Sequence, residues 1–134
     1  MAVSEDGEGE LQIAYTLAPG GAVGQRATLV WPATIGESRR LRLTARADAP
    51  MRLSVQVRTA DGGQSPRRWR RSIYLDREER TVGVDFADMQ PAPENPTPRP
   101  PLDEVNAILL VVDTTNAKPG TTGRMWIRRL ALER

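Results

Sequence analysis

The chain has 134 residues, enough for one domain with its own core, and contains neither cysteine nor histidine. That excludes disulfides, histidine-based triads and nearly all zinc chemistry, and leaves carboxylates, hydroxyls and arginine as the only groups for catalysis. The net charge is only +2, from 19 basic and 17 acidic residues, too even a balance for a dedicated nucleic-acid binder, and no run of 18 apolar residues offers a membrane-crossing helix.

The opening "MAVSEDGEGE" is acidic and polar, unlike a signal peptide. It reads as a flexible segment over residues 1–8. "LQIAYTL" then alternates, with Leu11, Ile13, Tyr15 and Leu17 on one side. "RATLVWP" is a short strand ended by Pro32, with Trp31 at its end. "LRLTARA" sets Leu41, Leu43, Ala45 and Ala47 against Arg42, Thr44 and Arg46. "MRLSVQVR" sets Met51, Leu53, Val55 and Val57 against Arg52, Ser54, Gln56 and Arg58. Period two of this kind marks half-buried strands with one wet face.

"RRWRRSIYLD", residues 67–76, surrounds a tryptophan with arginines. As a strand it puts Trp69, Ile73 and Leu75 on one face and Arg68, Arg70, Ser72 and Tyr74 on the other. Arg67 falls in the entering loop. Alternation points Arg71 inward, where a guanidinium needs a carboxylate or carbonyl partner; Asp76, Asp85 and Asp113 are the candidates. The arginines therefore do not form one patch. "TVGVDF" follows as a strand, and "FADMQ" suits one helical turn. "PAPENPTPRPP", residues 91–101, carries six prolines in eleven residues and reads as a stiff loop within one domain, because neither flank holds enough strands to close a core. "NAILLVVD" is apolar on both faces, as a central strand should be, and "RMWIRRLALE" closes the set with Trp126 expected in the core. Asp113 and Asn116 of "DTTN" suit side-chain caps of a turn.

Turn signals at "APGG", "ADAP", "ADGGQSP", "DREE" and "NAKPGTTG" separate these segments. About eight strands so spaced predict an all-β fold, a two-sheet antiparallel sandwich. The wet faces carry Arg42, Thr44 and Arg46; Ser54, Gln56 and Arg58; and Arg70, Ser72 and Tyr74. If these share a sheet, it exposes hydroxyls, an amide, guanidinia and a ring. That mixture grips sugars, although the same residue types also suit an ordinary solvated face.

Four stretches carry a resemblance: "LRLTARA" with its L-x-x-x-x-R-A spacing, the Trp69–Leu75 strand, "VGVDFAD", and "GRMWIRRLAL". Over residues 9 to 133 the chain resembles the carbohydrate-binding modules with the galactose-binding-domain-like jelly roll, of the family 11 and complex I intermediate-associated types. The resemblance implies a polysaccharide, a β-glucan or other glycan, bound on a concave sheet face. Tyr74, Arg58 and Asp113, with Trp31 or Trp69, occupy the matching positions, and Arg70, Ser72 and Gln56 lie on the same wet face. It also implies a structural calcium, for which Asp6, Glu8 and Glu133 could supply oxygens; yet Arg128 and Arg129 stand where the family motif has an acidic pair. The expected protein is a non-catalytic, monomeric module, with no nucleic-acid or membrane partner. It would be extracellular or cell-surface as part of a longer protein, and cytoplasmic if the chain is complete. Arginine outnumbers acid on the wet face, so acidic glycans stand beside neutral β-glucans as ligands.

Two other classes remain open. One is a jelly-roll protein-interaction or assembly domain without sugar binding. The other is a glycan-active enzyme, for which Asp85 and Asp113 are the only strand-end carboxylate pair; paired acids must lie about 5–9.5 Å apart in one cleft.

Overall fold

A computed structural model describes residues 2–5, 10–17, 26–59, 67–93, 95, 97–113, 120 and 122–134. These form ten strands: β1 (Ala2–Glu5), β2 (Leu11–Thr16), β3 (Arg26–Pro32), β4 (Arg40–Ala47), β5 (Met51–Thr59), β6 (Arg68–Leu75), β7 (Arg80–Asp85), β8 (Gln90–Pro91), β9 (Val105–Asp113) and β10 (Thr122–Glu133). A single 3-10 turn, Phe86–Asp88, lies in the expected "FADMQ". Two antiparallel sheets stack face to face. Sheet A has the order β1-β2-β10-β4-β7 and sheet B the order β3-β9-β5-β6-β8.

Apolar alternation drives the stacking. Sheet A turns Ile13, Tyr15, Leu41, Leu43, Ala45, Val84, Met125 and Ile127 inward, and sheet B answers with Leu53, Val55, Val57, Trp69, Ile73, Leu75, Ile108, Leu110 and Val112. Each such aliphatic side chain contributes roughly 1.5–3 kcal/mol by leaving water. A one-residue slip in any strand would turn its apolar set to solvent, so the pattern also sets the register. Strand β9 is apolar on both faces. Ala107, Leu109 and Val111 form a second buried cluster on its other side, as befits a strand hydrogen-bonded to β3 and β5 on its two flanks.

The Pro-rich stretch is fastened to β6. The Trp69 indole donates to the Thr97 carbonyl at 2.9 Å, and Arg67 Nη1 to the Thr97 hydroxyl at 3.0 Å. Asn95 Nδ2 and the Ala92 amide both donate to the Arg68 carbonyl, at 2.8 and 3.0 Å. Main-chain polar groups drawn in against a strand need such partners. In the β3–β4 turn, Gly36 has φ +58°, the left-handed region that costs glycine nothing.

Four local features differ from the expectations. Ala2–Glu5, inside the segment read as flexible, pair with β2 as β1. The two-residue β8 pairs only Trp69 and Arg70; Pro91 suits this edge because it has no N–H to offer. Among the described residues no strand pairs β6 beyond β8, and Arg71 escapes the interior there. It is exposed and donates to the Asp88 carbonyl at 3.3 Å, not to a carboxylate. Finally, Trp126 is not in the core. Met125 and Ile127 take the inward positions, which sends Trp126 to the outer face of sheet A, and a bulge between Ile127 and Arg129 shifts the register beyond it.

Candidate functional site: the outer face of sheet B

Strands β5 and β6 run antiparallel in a register that pairs Arg52 with Tyr74, Ser54 with Ser72, Gln56 with Arg70 and Arg58 with Arg68. All eight belong to the face turned away from the core. Beside them β9 supplies Ala107, Leu109 and Val111, opposite Arg58, Gln56 and Ser54 respectively. Next comes β3, with Thr28, Val30 and Pro32. The face thus has a buried apolar centre on β9, flanked on the β5–β6 side by guanidinia, hydroxyls and a phenol. Val30 and Tyr74, 42% and 45% exposed, are the large apolar side chains most open to solvent among the described residues, and they stand on opposite sides of this one face.

Gln56 and Ser54 are buried, at 2% exposure each. Gln56 Nε2 donates to the Ser54 hydroxyl at 3.1 Å, and Arg68 Nη1 donates to Gln56 Oε1 at 3.3 Å. Gln56, expected to contact a ligand, instead lies beneath the surface and orients Arg68. Arg58 and Arg70 are half-buried, and Ser72 and Arg52 are exposed. Arg52 belongs to the same alternation as Ser54, Gln56 and Arg58, so the signal that it shares their face was present in the sequence; Val30 carried none, being one apolar residue in a short apolar strand.

Tyr74 closes one end of the face, beside an open hollow of about 420 Å³ lined by Pro50, Asp76, Arg77 and Glu78. The Arg80 guanidinium stands 5.8 Å from its ring centroid. Asp76 next to it is held below the usual carboxylate range, chiefly by the hydrogen bond from Arg80, with smaller help from the Glu78 amide and the Tyr74 phenol.

The two other aromatic candidates lie elsewhere. Trp69 is wholly buried, so its ring cannot meet a ligand from where it stands; it holds the Pro-rich loop. Trp31 is half-buried and packs against the core from β3, pairing with the inward-facing Ile108. Asp113 ends β9, opposite Arg26. Asp85 belongs to β7 in sheet A and bonds Arg40 at 3.2 Å, so the nominated acid pair is split between the two sheets. The arginines of residues 67–71 diverge: Arg67 to Glu104 at 2.9 Å, Arg68 and Arg70 to the outer face, and Arg71 to Asp88.

No family model matches the chain, and no curated protein matches it. Solved structures do. A family 11 carbohydrate-binding module from Clostridium thermocellum, in complex with a β-1,3-1,4-mixed-linked tetrasaccharide, superposes with a TM-score of 0.72 at 14% identity, over 98% of this chain and 80% of that one. The family 11 module of the cellulosomal cellulase Lic26A-Cel5E from the same organism gives 0.68 at 14% identity, over 98% and 79%. A structure described as a family 4 module gives 0.56 at 15% identity, over 98% and 76%. The fold is that of a family 11 carbohydrate-binding module.

Of the three oxygen ligands considered for a calcium, only Glu133 lies among the described residues. Glu133 is taken by Arg42, whose Nε lies 2.7 Å from its carboxylate. Arg128 bonds Glu79 at 3.2 Å, while Asp6 and Glu8 lie outside the described residues. No cluster of three acidic groups suited to a metal occurs among the described residues.

Arg42, Thr44 and Arg46 are on β4, and so face outward from sheet A, not B. Their chemistry is self-contained. Arg46 lies 4.1 Å from the Trp126 ring centroid and 3.3 Å from Glu10, and Thr44 bonds Thr81 at 2.8 Å. At the end of this sheet a hollow of about 490 Å³ is lined by Tyr15, Asp48, Thr122, Gly123 and Arg124, among others. Burial there, aided by the charge of Asp48, pushes the Tyr15 phenol above its ordinary pKa.

Proposed function

We propose that this protein is a non-catalytic carbohydrate-binding module that holds a polysaccharide on the outer face of sheet B, as part of a longer secreted protein. The observation that carries this reading is the composition of that one face. It combines an exposed phenol, Tyr74, and an exposed aliphatic side chain, Val30, with the donors Arg52, Arg58 and Arg70, over a buried bed of Ala107, Leu109 and Val111. Sugar rings present apolar faces and hydroxyl edges, and such a surface meets both. The mixed-linked tetrasaccharide bound by the structurally similar family 11 module supports a β-glucan-type chain as the first ligand to try. The family 11 module of a cellulosomal cellulase likewise supports a role in which a catalytic partner lies elsewhere in the parent protein.

Glycan-array binding followed by affinity electrophoresis in soluble polysaccharides tests the reading. Retarded migration in at least one polysaccharide is expected. Absence of binding across neutral and acidic chains would sink it, and leave an assembly domain of the same fold.

A further inference from the structure

The two outer faces treat their arginines differently. On sheet A, Arg40, Arg42, Arg46 and Arg128 each bond a carboxylate, Asp85, Glu133, Glu10 and Glu79 respectively, while Arg124 and Arg129 have none among the described residues. On sheet B, none of Arg52, Arg58 and Arg70 meets a carboxylate among the described residues, and Asp76 and Glu78, at the Tyr74 end of the face, are bonded instead by Arg80.

From this we infer that the polysaccharide is anionic, a chain bearing uronate carboxylates that the sheet B arginines grip; the inference rests on the carbohydrate reading above. A guanidinium binds a carboxylate through two parallel N–H···O bonds, a fit that a neutral hydroxyl pair only partly imitates. Arg52 and Arg58 are six residues apart on one strand, about 20 Å at strand rise. The charged row therefore follows an extended chain and does not enclose a small ion. Nucleic acid is the other extended polyanion. Single-strand binders stack successive bases on several rings, whereas this face offers one exposed ring, Tyr74.

The test compares polygalacturonate, alginate, neutral β-1,3-1,4-glucan and a single-stranded oligonucleotide by titration calorimetry at 50 and 500 mM salt. Polygalacturonate or alginate should bind best, and more weakly at high salt, because exposed charges are screened. Arg58→Gln with Arg70→Gln should weaken uronate binding by at least about tenfold. Arg58→Lys with Arg70→Lys should recover only part, because lysine keeps the charge but loses the fork. Arg124→Gln with Arg129→Gln, exposed on sheet A and without a carboxylate partner among the described residues, should change nothing. Arg52→Gln serves as a milder variant if the double substitution lowers folding yield. Tighter, salt-insensitive binding of neutral glucan would overturn the inference while leaving the carbohydrate reading intact. A preference for the oligonucleotide, or loss of uronate binding only in the Arg124/Arg129 variant, would overturn it as well. Failure of every glycan would remove the carbohydrate reading itself.

Discussion

Replacing Trp69 with phenylalanine should loosen the Pro-rich loop more than any other single change in β6. The indole is wholly buried, and its N–H is bonded to the Thr97 carbonyl at 2.9 Å. Phenylalanine keeps an aromatic ring but deletes the donor, leaving the part-buried Thr97 carbonyl without that partner at a cost of about 1–2 kcal/mol. Full truncation of a core tryptophan costs about 3–5 kcal/mol, and the shrunken ring accounts for roughly a third of that. The total is about 2–4 kcal/mol, which for a domain of this size lowers Tm by on the order of 10 °C. Urea unfolding followed by circular dichroism measures the global effect. Hydrogen exchange measures the local one at two amides of the loop: Asn95, which donates to the Ala92 carbonyl, and Thr97, which donates to the Asn95 side chain. Both should exchange faster in the variant, beyond what global destabilisation explains. A loss under about 0.5 kcal/mol, with exchange at Asn95 and Thr97 unchanged, would refute the idea that this indole anchors the loop.

Tyr74→Ala should weaken glycan binding about tenfold by removing a ring contact and leave Tm nearly unchanged, as calorimetry and a thermal melt would read, since the ring is 45% exposed. Gly123→Ala should destabilise by about 1–3 kcal/mol in urea melts through overpacking: a Cβ there would stand 2.7 Å from Tyr15 Cζ, so Tyr15→Leu should relieve much of the cost. Raising the pH through the alkaline range should lose stability. The Tyr15 pKa is raised in the folded state, so its contribution is fully present below the ordinary value near 10 and fades as pH climbs through the folded value; Tyr15→Phe should flatten that limb of a pH–stability curve. Asp76 has the opposite sign. Its lowered pKa contributes stability above the unfolded value of 3.8, lost as pH falls through the folded one, and Arg80→Gln should blunt the acid limb.

Face assignment was legible wherever apolar and polar residues alternated cleanly. Leu53, Val55 and Val57 point inward and Arg52 and Arg58 outward, as the alternation of "MRLSVQVR" requires. Sheet membership was not legible, because alternation distinguishes two faces without saying which strand pairs with which. Arg42, Thr44 and Arg46 have the wet-face chemistry of β5 and β6, yet lie on the other sheet. Trp126 was misplaced because a tryptophan near a strand's centre usually packs inward, while its parity with Met125 and Ile127 settles the matter the other way. Gln56 shows a further limit. Its side of the strand was readable, but its burial comes from neighbours on β6 and β9 that only the tertiary fold brings together.

The order of sheet A has a consequence for how the chain is made. Strand β10, last of the ten in sequence, lies between β2 and β4 and bonds both. Until residues 122–133 have left the ribosome, β1–β2 and β4–β7 are two separate ribbons, each with an unsatisfied edge facing a gap. The contacts that join them span 106 to 116 residues to β2 and 78 to 93 to β4, and closing such distant pairs is slow. A partly synthesised chain would therefore display open strand edges of the kind that template aggregation. Any shortened version that omits β10 should be recovered insoluble, however little of the sheet B face it removes.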